Sequence, residues 1–378
     1  MRRALLLLAL SFAAWAAGCS SSSSSPSAKS APGVPASRSP YDAPPAAAHS
    51  IQIQIDATAA REILGTLSRQ KFDPSDAKVL QDLPAIHLTI QDSTRGSEVF
   101  ERDLAAAFGE TSKSTVFDFW KIRQERTRWE ALLSAIVSRE KDVARLSSER
   151  AAALLPGDRP VSAVVHVYLS FGIAGLADHL VLADAKGQDT MVIDLSRALG
   201  DSQGEPLDSQ ISRLARLIAG EAFRQSWLLY RSASPAWQRG RSEGMPIDQL
   251  LTLVGETGPV ALFAVDENFF PLAVWLKTPM KRAIDDLNRS AERFAQAKDN
   301  LEARVELTGE LKRPAFARQV AAPAGAFLAD AVVQSSGLDA LRAGLQKGPR
   351  GLFEAYDKVY QSDKNLIPLG QAIRQRIK

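Results

Sequence analysis

The sequence predicts an α+β fold that is predominantly α-helical, with one small β-sheet set just before one central helix. Three observations carry this expectation. Asp208 to Tyr230, DSQISRLARLIAGEAFRQSWLLY, repeats Ile211, Leu214, Ile218, Ala222 and Leu228 at helical spacing and reads as an amphipathic helix of about six turns. Val161 to Leu169 alternates, with Ala163, Val165, Val167 and Leu169 pointing one way and His166 the other, as a half-buried strand does. Over most of the rest of the chain, apolar residues recur every three to four positions rather than every two.

The first fifty residues do not read as fold. Met1-Arg2-Arg3 is a basic start, and Ala4 to Ala14 is an apolar run too short to cross a membrane stably. Ala16-Ala17-Gly18 then precedes Cys19, the only cysteine in the chain. This resembles a bacterial lipoprotein signal, which implies cleavage after residue 18, acylation of Cys19 (palmitate among the chains) and a bilayer as partner. With Cys19 consumed, no disulfide or cysteine metal site remains. Losing Arg2 and Arg3 takes the net charge from +3 to +1, so the basic balance is no argument for nucleic acid. Ser20, with no Asp there, points by the same resemblance to the outer membrane of a two-membrane bacterium. Residues 19–50 are Ser, Ala and Pro with few large apolar groups, a tether that cannot bury enough surface to fold. Residues 51–378 form the expected domain.

Along that domain, Ile51 to Asp56 alternates as a strand, and Ala57 to Arg69 is helical with Ala60, Ile63, Leu64 and Leu67 on one face. Asp73 to Leu83 reads as a short helix stopped by Pro84. Ile86 to Ile90 alternates again and is expected to be a short strand or an extended connection. Ser114 to Leu155 is one charged helical run striped by Trp129, Leu132, Leu133, Ile136, Val143 and Leu146. His179–Ala183 and Thr190–Leu195 flank Asp184-Ala185-Lys186-Gly187, a hairpin turn signal. The central helix follows, with Asp208 or Ser209 as its cap and Pro235 past its end. Met245–Val254 is helical and runs into Gly255-Glu256-Thr257-Gly258-Pro259. Lys281–Leu311 is a long charged helix or helical hairpin striped by Ile284, Leu287, Ala291, Phe294 and Leu301. Ala324–Ser336 is apolar enough to be buried, with Gly337 as its C-cap, and Leu352, Phe353, Tyr356 and Tyr360 stripe a last helix.

Gly220-Glu221-Ala222-Phe223-Arg224 sits in the middle of the central helix. A zinc-peptidase helix carries H-E-x-x-H there, two imidazoles at i and i+4 holding the metal while the Glu activates water. Here the Glu is present and both histidines are absent. An apolar helix carrying one Glu and one Arg is more often simply a helix. The four histidines, His49, His87, His166 and His179, have no partner at metal-ligand spacing. The nucleophile elbow, P-loop, dinucleotide glycines and catalytic cysteine are all missing. Asp266-Glu267 and Asp285-Asp286 are neighbours that do not face each other on a helix and read as surface charge.

IQIQIDATAAREIL, VVHVYLS, HLVLADAKGQDTMVIDL, LARLIAGEAFRQSW, GETGPVALF, AGAFLADAVVQSSGLDAL and GPRGLFEAYDKVY, in this order and spacing, resemble a bacterial family of zinc-dependent peptidases of gluzincin type. The resemblance covers about Ile51 to Tyr360. It implies a gluzincin-like fold, a small mixed sheet packed on an active-site-type helix. It places the first zinc histidine on Gly220, the general base on Glu221, the second histidine on Arg224 and the third ligand on Glu256. Two of these positions cannot bind a metal, so Glu221 is a vestigial general base and no cofactor is expected. Arg224, one turn from Glu221, is expected to fork between Glu221 and Glu256.

Three readings follow. One is an envelope lipoprotein with an inactive peptidase-like domain that binds or scaffolds a protein or peptide. The second is an active metallopeptidase with an unconventional zinc site. The third is a helical structural or accessory lipoprotein unrelated to peptidases.

Overall fold

The computed structural model describes residues 49–93, 96–109, 116–172, 177–184, 187–202, 204–242, 245–263 and 279–378. Cys19, residues 20–48 of the tether and the Asp266-Glu267 pair lie outside the described residues, whereas His49 and Ser50, expected in the tether, are the first residues of the first strand. The fold is α+β and predominantly helical, with one mixed four-stranded sheet. It divides into two compact units, the described part of Ala48–Ala152 with Pro160–Tyr230, and Ala153–Arg159 with Arg231–Lys378.

In the first unit, β1 (His49–Asp56) lies parallel to β2 (Val161–Ser170), pairing Ile53 with Val165. β2 lies parallel to β4 (Asp189–Asp194), and β3 (His179–Ala183) closes the edge antiparallel to β4, so the order is β1-β2-β4-β3. The inward set of β2 is the predicted one: Ala163, Val165, Val167 and Leu169 are all buried. The β3–β4 turn is built by Asp184, whose carboxylate accepts from the Gln188 amide at 2.8 Å while Gly187 takes φ 75°. That positive φ costs glycine nothing.

The crossover from β1 to β2 is helical throughout. α1 (Thr58–Leu67) buries Ala60, Ile63, Leu64 and Leu67. α2 (Pro74–Gln81) is capped by the Asp73 carboxylate, which accepts from the Ser75 amide at 2.9 Å. Pro84 does not merely stop this helix; it is the first residue of α3 (Pro84–Asp92). The strand or extended reading of Ile86–Ile90 is therefore overturned. Ala85, Leu88 and Thr89 fall at i, i+3 and i+4 and are buried with Ile86, and the alternation of Ile86, Leu88 and Ile90 is too short to distinguish a strand from that helical face. Proline at the first turn, where its missing N–H is no loss, tips the segment to helix. After α4 (Gly96–Ala106), the expected single run of Ser114–Leu155 is three helices, α5 (Phe119–Gln124), α6 (Arg126–Ser138) and α7 (Glu140–Ala153). The backbone leaves helical values at Glu125 and Arg139, yet the apolar face stays in phase across both breaks. Trp129, Leu132, Leu133, Ile136 and Val143 are buried.

The central helix, α8 (Leu207–Ala233), is 27 residues long and starts one residue before the expected cap. Asp208 thus sits in its first turn, where a carboxylate favours the helix dipole, and pairs with Arg139. Ile211, Leu214, Ile218 and Ala222 are buried as predicted, but Leu228 is exposed. Trp227 and Tyr230 take the inward positions instead, with Phe223–Trp227 and Trp227–Tyr230 ring stacks at 6.0 and 5.5 Å. The buried Ser147 hydroxyl donates to the Ala215 carbonyl at 3.0 Å and ties α7 to this helix.

The second unit begins with α9 (Pro235–Ser242) and α10 (Pro246–Phe263). The helix expected over Met245–Val254 continues through Gly255–Pro259, which is the interior of α10, proline included. Its glycines serve a helix crossing: a Cβ built on Gly258 would lie 2.4 Å from the Gly325 carbonyl carbon, and one on Gly325 2.5 Å from the Val254 carbonyl oxygen. The partner in that crossing is α13 (Ala322–Ser336), capped by Gly337 at φ 80° as predicted. Between them in sequence, α11 (Pro279–Gln296) and α12 (Leu301–Leu311) make Lys281–Leu311 two helices rather than one, the second of the two expected forms. A 3-10 turn at Ala297–Asp299 separates them, and Asn300 caps α12 by accepting from the Ala303 amide at 3.0 Å. This break resets the helical phase. Ile284, Leu287, Ala291 and Phe294 are buried, whereas Leu301, expected on the same stripe, is 73% exposed. α14 (Leu338–Gln346), α15 (Pro349–Ser362) and α16 (Gln371–Ile377) complete the unit. Asp248 of α10, nearly fully buried, holds Arg350 at 3.1 Å and Arg376 at 2.5 Å and pins the last helix.

Candidate functional site

Gly220, Glu221 and Arg224 all lie mid-helix on α8, so their spacing is fixed by the helix itself. Glu221 and Arg224 stand one turn apart and meet side to side. Arg224 Nε donates to Glu221 Oε2 at 2.7 Å and Arg224 Nη2 to Glu221 Oε1 at 2.7 Å, a bidentate fork. The same Nη2 donates to Asp189 Oδ2 at 2.8 Å. Gln225 Nε2 adds a bond to Glu221 Oε1 at 2.9 Å and another to the Asp189 carbonyl at 3.3 Å. Asp189 is the first residue of β4, placed there by the turn that Asp184 organises.

Burial alone pulls the Arg224 guanidinium toward deprotonation, but the charge of Glu221, the hydrogen bonds to it and the Asp189 carboxylate outweigh burial. The net effect raises it above the ordinary arginine value. Arg224 is a fixed cation at any attainable pH. The Glu221 side chain is only 4% exposed, and both its oxygens receive donors. Three of its about four acceptor sites are thus taken by protein donors, and burial leaves little of the fourth to water.

The expected fork from Arg224 to Glu256 is corrected. Its second acid is Asp189. Glu256 lies on α10 and forms an ion pair with Arg231, whose side chain is nine-tenths buried. Glu256 also lines an open cleft between α10 and α12. Asp189, Gln225 and Arg231 were missed by sequence reasoning. Arg231 had a usable signal, a cation seven residues after Arg224 on one amphipathic helix. Asp189 had none, since a charged residue at a strand start is ordinary.

At the positions the resemblance assigns to zinc, the described side chains do not make a ligand set. Gly220 offers no ligand atom, Arg224 is a cation already seated on Glu221, and Glu256 is engaged by Arg231. His87 contacts Gln91 on α3, His166 lies on β2, and His179 contacts Asp178 at 2.7 Å. Among the described residues no group of three His, Cys, Asp or Glu side chains stands close enough to hold a metal.

Searches of curated proteins and of solved structures each give no match. A family model does match, over residues 78–365, which takes in β2, β3 and β4 of the sheet, α8 and α10 through α15. On that match the chain belongs to the family described as "Putative zinc dependent peptidase (DUF5700)".

Proposed function

We propose that this chain is a lipid-anchored member of its family whose zinc centre has been replaced by a fixed ion-pair cluster, and that it acts by binding a protein or peptide rather than by hydrolysis. The observation that carries this reading is the Arg224 fork. In a zinc site the metal's charge compensates the carboxylates around it. Here a guanidinium compensates Glu221 and Asp189 from within the protein. Gly220 removes one ligand and Arg224 removes another while repelling a dication, so hydrolysis by zinc-bound water has no scaffold. Glu221 is the residue of the old base position and Glu256 that of the old third ligand; both are retained as partners of arginines.

Anchoring rests on Ala16-Ala17-Gly18-Cys19. Acylated Cys19 would hold the domain to the cell envelope, at the outer membrane by the Ser20 rule, with residues 20–48 as tether. Among the described residues no helix is long and apolar enough to cross a membrane.

The test is metal content and hydrolysis on the same preparation. Elemental analysis is expected to give no stoichiometric zinc, and a casein assay no cleavage above that of Glu221→Gln. One equivalent of zinc, lost in Glu256→Ala, together with cleavage lost in Glu221→Gln, would establish the active-peptidase reading instead.

A further inference from the structure

The cleft between α10 and α12, about 200 Å³, is built in two matching rows. Gln249, Leu253 and Glu256 line it from α10 at i, i+4 and i+7, and Thr308, Leu311 and Lys312 line it from the end of α12. Each wall sets a leucine beside polar groups.

The charges of these walls are unequal in availability. Glu256 is matched by Arg231, so acid and guanidinium cancel locally. Lys312 is exposed and has no ion-pair partner among the described residues, and the Gln249 and Thr308 side chains make no hydrogen bonds among them. What remains is one uncompensated cation flanked by an amide and a hydroxyl. That set suits a carboxylate and repels an ammonium group.

Beyond the cleft, the same face of α12 continues outward. Residues 301, 305, 308 and 312 stand at i, i+4, i+7 and i+11, and Leu301 and Val305 are 73% and 67% exposed. From Lys312 to Leu301 this face is about 16 Å long at 1.5 Å per residue. An extended chain of about five residues covers that distance. The apolar pair is thus an apron leading into a cleft that ends in a cation.

We propose that this cleft and apron bind the carboxy-terminal segment of a peptide, its terminal carboxylate on Lys312 and its apolar side chains along Leu253, Leu311, Val305 and Leu301. Gln249 and Thr308 supply a donor and acceptor pair for the last peptide group, which a fatty acid does not have. The proposal rests on the binding reading above and gives it a ligand class.

Fluorescence anisotropy of the full-length chain in detergent, with a dye-labelled Ala-Ala-Leu-Val-Leu peptide as probe, tests it. The free acid is expected to bind, and the carboxamide of the same peptide about tenfold more weakly, as loss of a charge-assisted contact gives. Lys312→Glu, at an exposed position, should abolish the preference for acid over amide, and Val305→Asp should weaken both probes. Equal binding of acid and amide, displacement by decanoate as effective as by the unlabelled peptide, or no binding up to about 1 mM would overturn the proposal. The zinc and casein assays are independent of this result. Zinc with cleavage would remove the inactive-enzyme reading while leaving an acid-over-amide preference standing, and the converse holds equally.

Discussion

Arg224 and Glu221 are joined by two hydrogen bonds of 2.7 Å one turn apart on α8, with Glu221 almost wholly enclosed. Removing the cation alone strands a buried carboxylate. Arg224→Ala is therefore expected to cost about 2–3 kcal/mol, below the full range for buried pairs because the guanidinium keeps some exposure. Asp189, 41% exposed, can rehydrate, so Asp189→Ala should cost under about 1 kcal/mol. Urea midpoints at constant slope measure both. Equal costs for the two variants would mean that Glu221 is not the acid Arg224 serves.

The central helix, the sheet and the hairpin were legible in the sequence because each carries a period long enough to be unambiguous. Ile86–Ile90 was too short for that, and the proline that decided it acts at the start of a helix as readily as at the end of one. Leu228 and Leu301 were misplaced for one shared reason. A count of apolar residues does not report where the inward face passes to aromatic rings, nor where Asn300 restarts the helical phase. For the site, helix spacing sufficed for the Glu221–Arg224 contact. The pairings Asp189–Arg224 and Arg231–Glu256 span distant segments and depend on the fold alone.

Gly258 and Gly309 should respond oppositely to alanine. Both are inside helices, where alanine gains about 0.5–1 kcal/mol over glycine. At Gly309 nothing lies within 4 Å of the added Cβ, so Gly309→Ala should stabilise by about that amount. At Gly258 the Cβ meets backbone of α13 at 2.4 Å, which no rotamer change relieves. Gly258→Ala should destabilise by about 3 kcal/mol, the upper end for overpacking. A stabilised Gly258→Ala in thermal melts would show that α10 and α13 do not cross so closely.

Asp178 gives an acid-side expectation. Burial pushes its carboxyl up, but the His179 hydrogen bond and charge, with backbone amides, hold it below the ordinary 3.8. A depressed carboxylate stabilises the fold above the unfolded value, and that stability is lost as pH falls through the lower folded value. Asp178→Asn should thus be less stable than wild type at pH 6, by under about 1 kcal/mol for a part-exposed pair. The gap should narrow as pH falls from 3.8 through the lower folded value. A gap that does not narrow on acidification below 3.8 would assign the effect to packing rather than charge.

Cys19→Ser tests the anchor. The wild type is expected in the detergent phase after Triton X-114 separation, and the variant in the aqueous phase or as an unprocessed, slower-migrating form. Identical partitioning and migration would remove the lipoprotein reading and leave the folded domain's assignment untouched.

The last expectation tests the proposed replacement. Gly220→His with Arg224→His sets two imidazoles at i and i+4 on α8, the spacing at which a helix presents two zinc ligands together. The same change removes the guanidinium and leaves Glu221 and Asp189 without a compensating charge. The double variant should therefore be less stable than wild type without metal, for the reason that Arg224→Ala is. Zinc would restore the missing charge and bind only the folded state, so added metal should recover the melting temperature in proportion to ln(1 + [Zn]/Kd). Wild type and each single variant should show no such dependence, since neither has the ligand pair. Copper or nickel in place of zinc would also shift the melt, because two imidazoles do not discriminate strongly among these ions. If the double variant folds but its melting temperature ignores zinc, no further ligand completes a site beside positions 220 and 224, and the ancestry of this helix in a metal site falls with it.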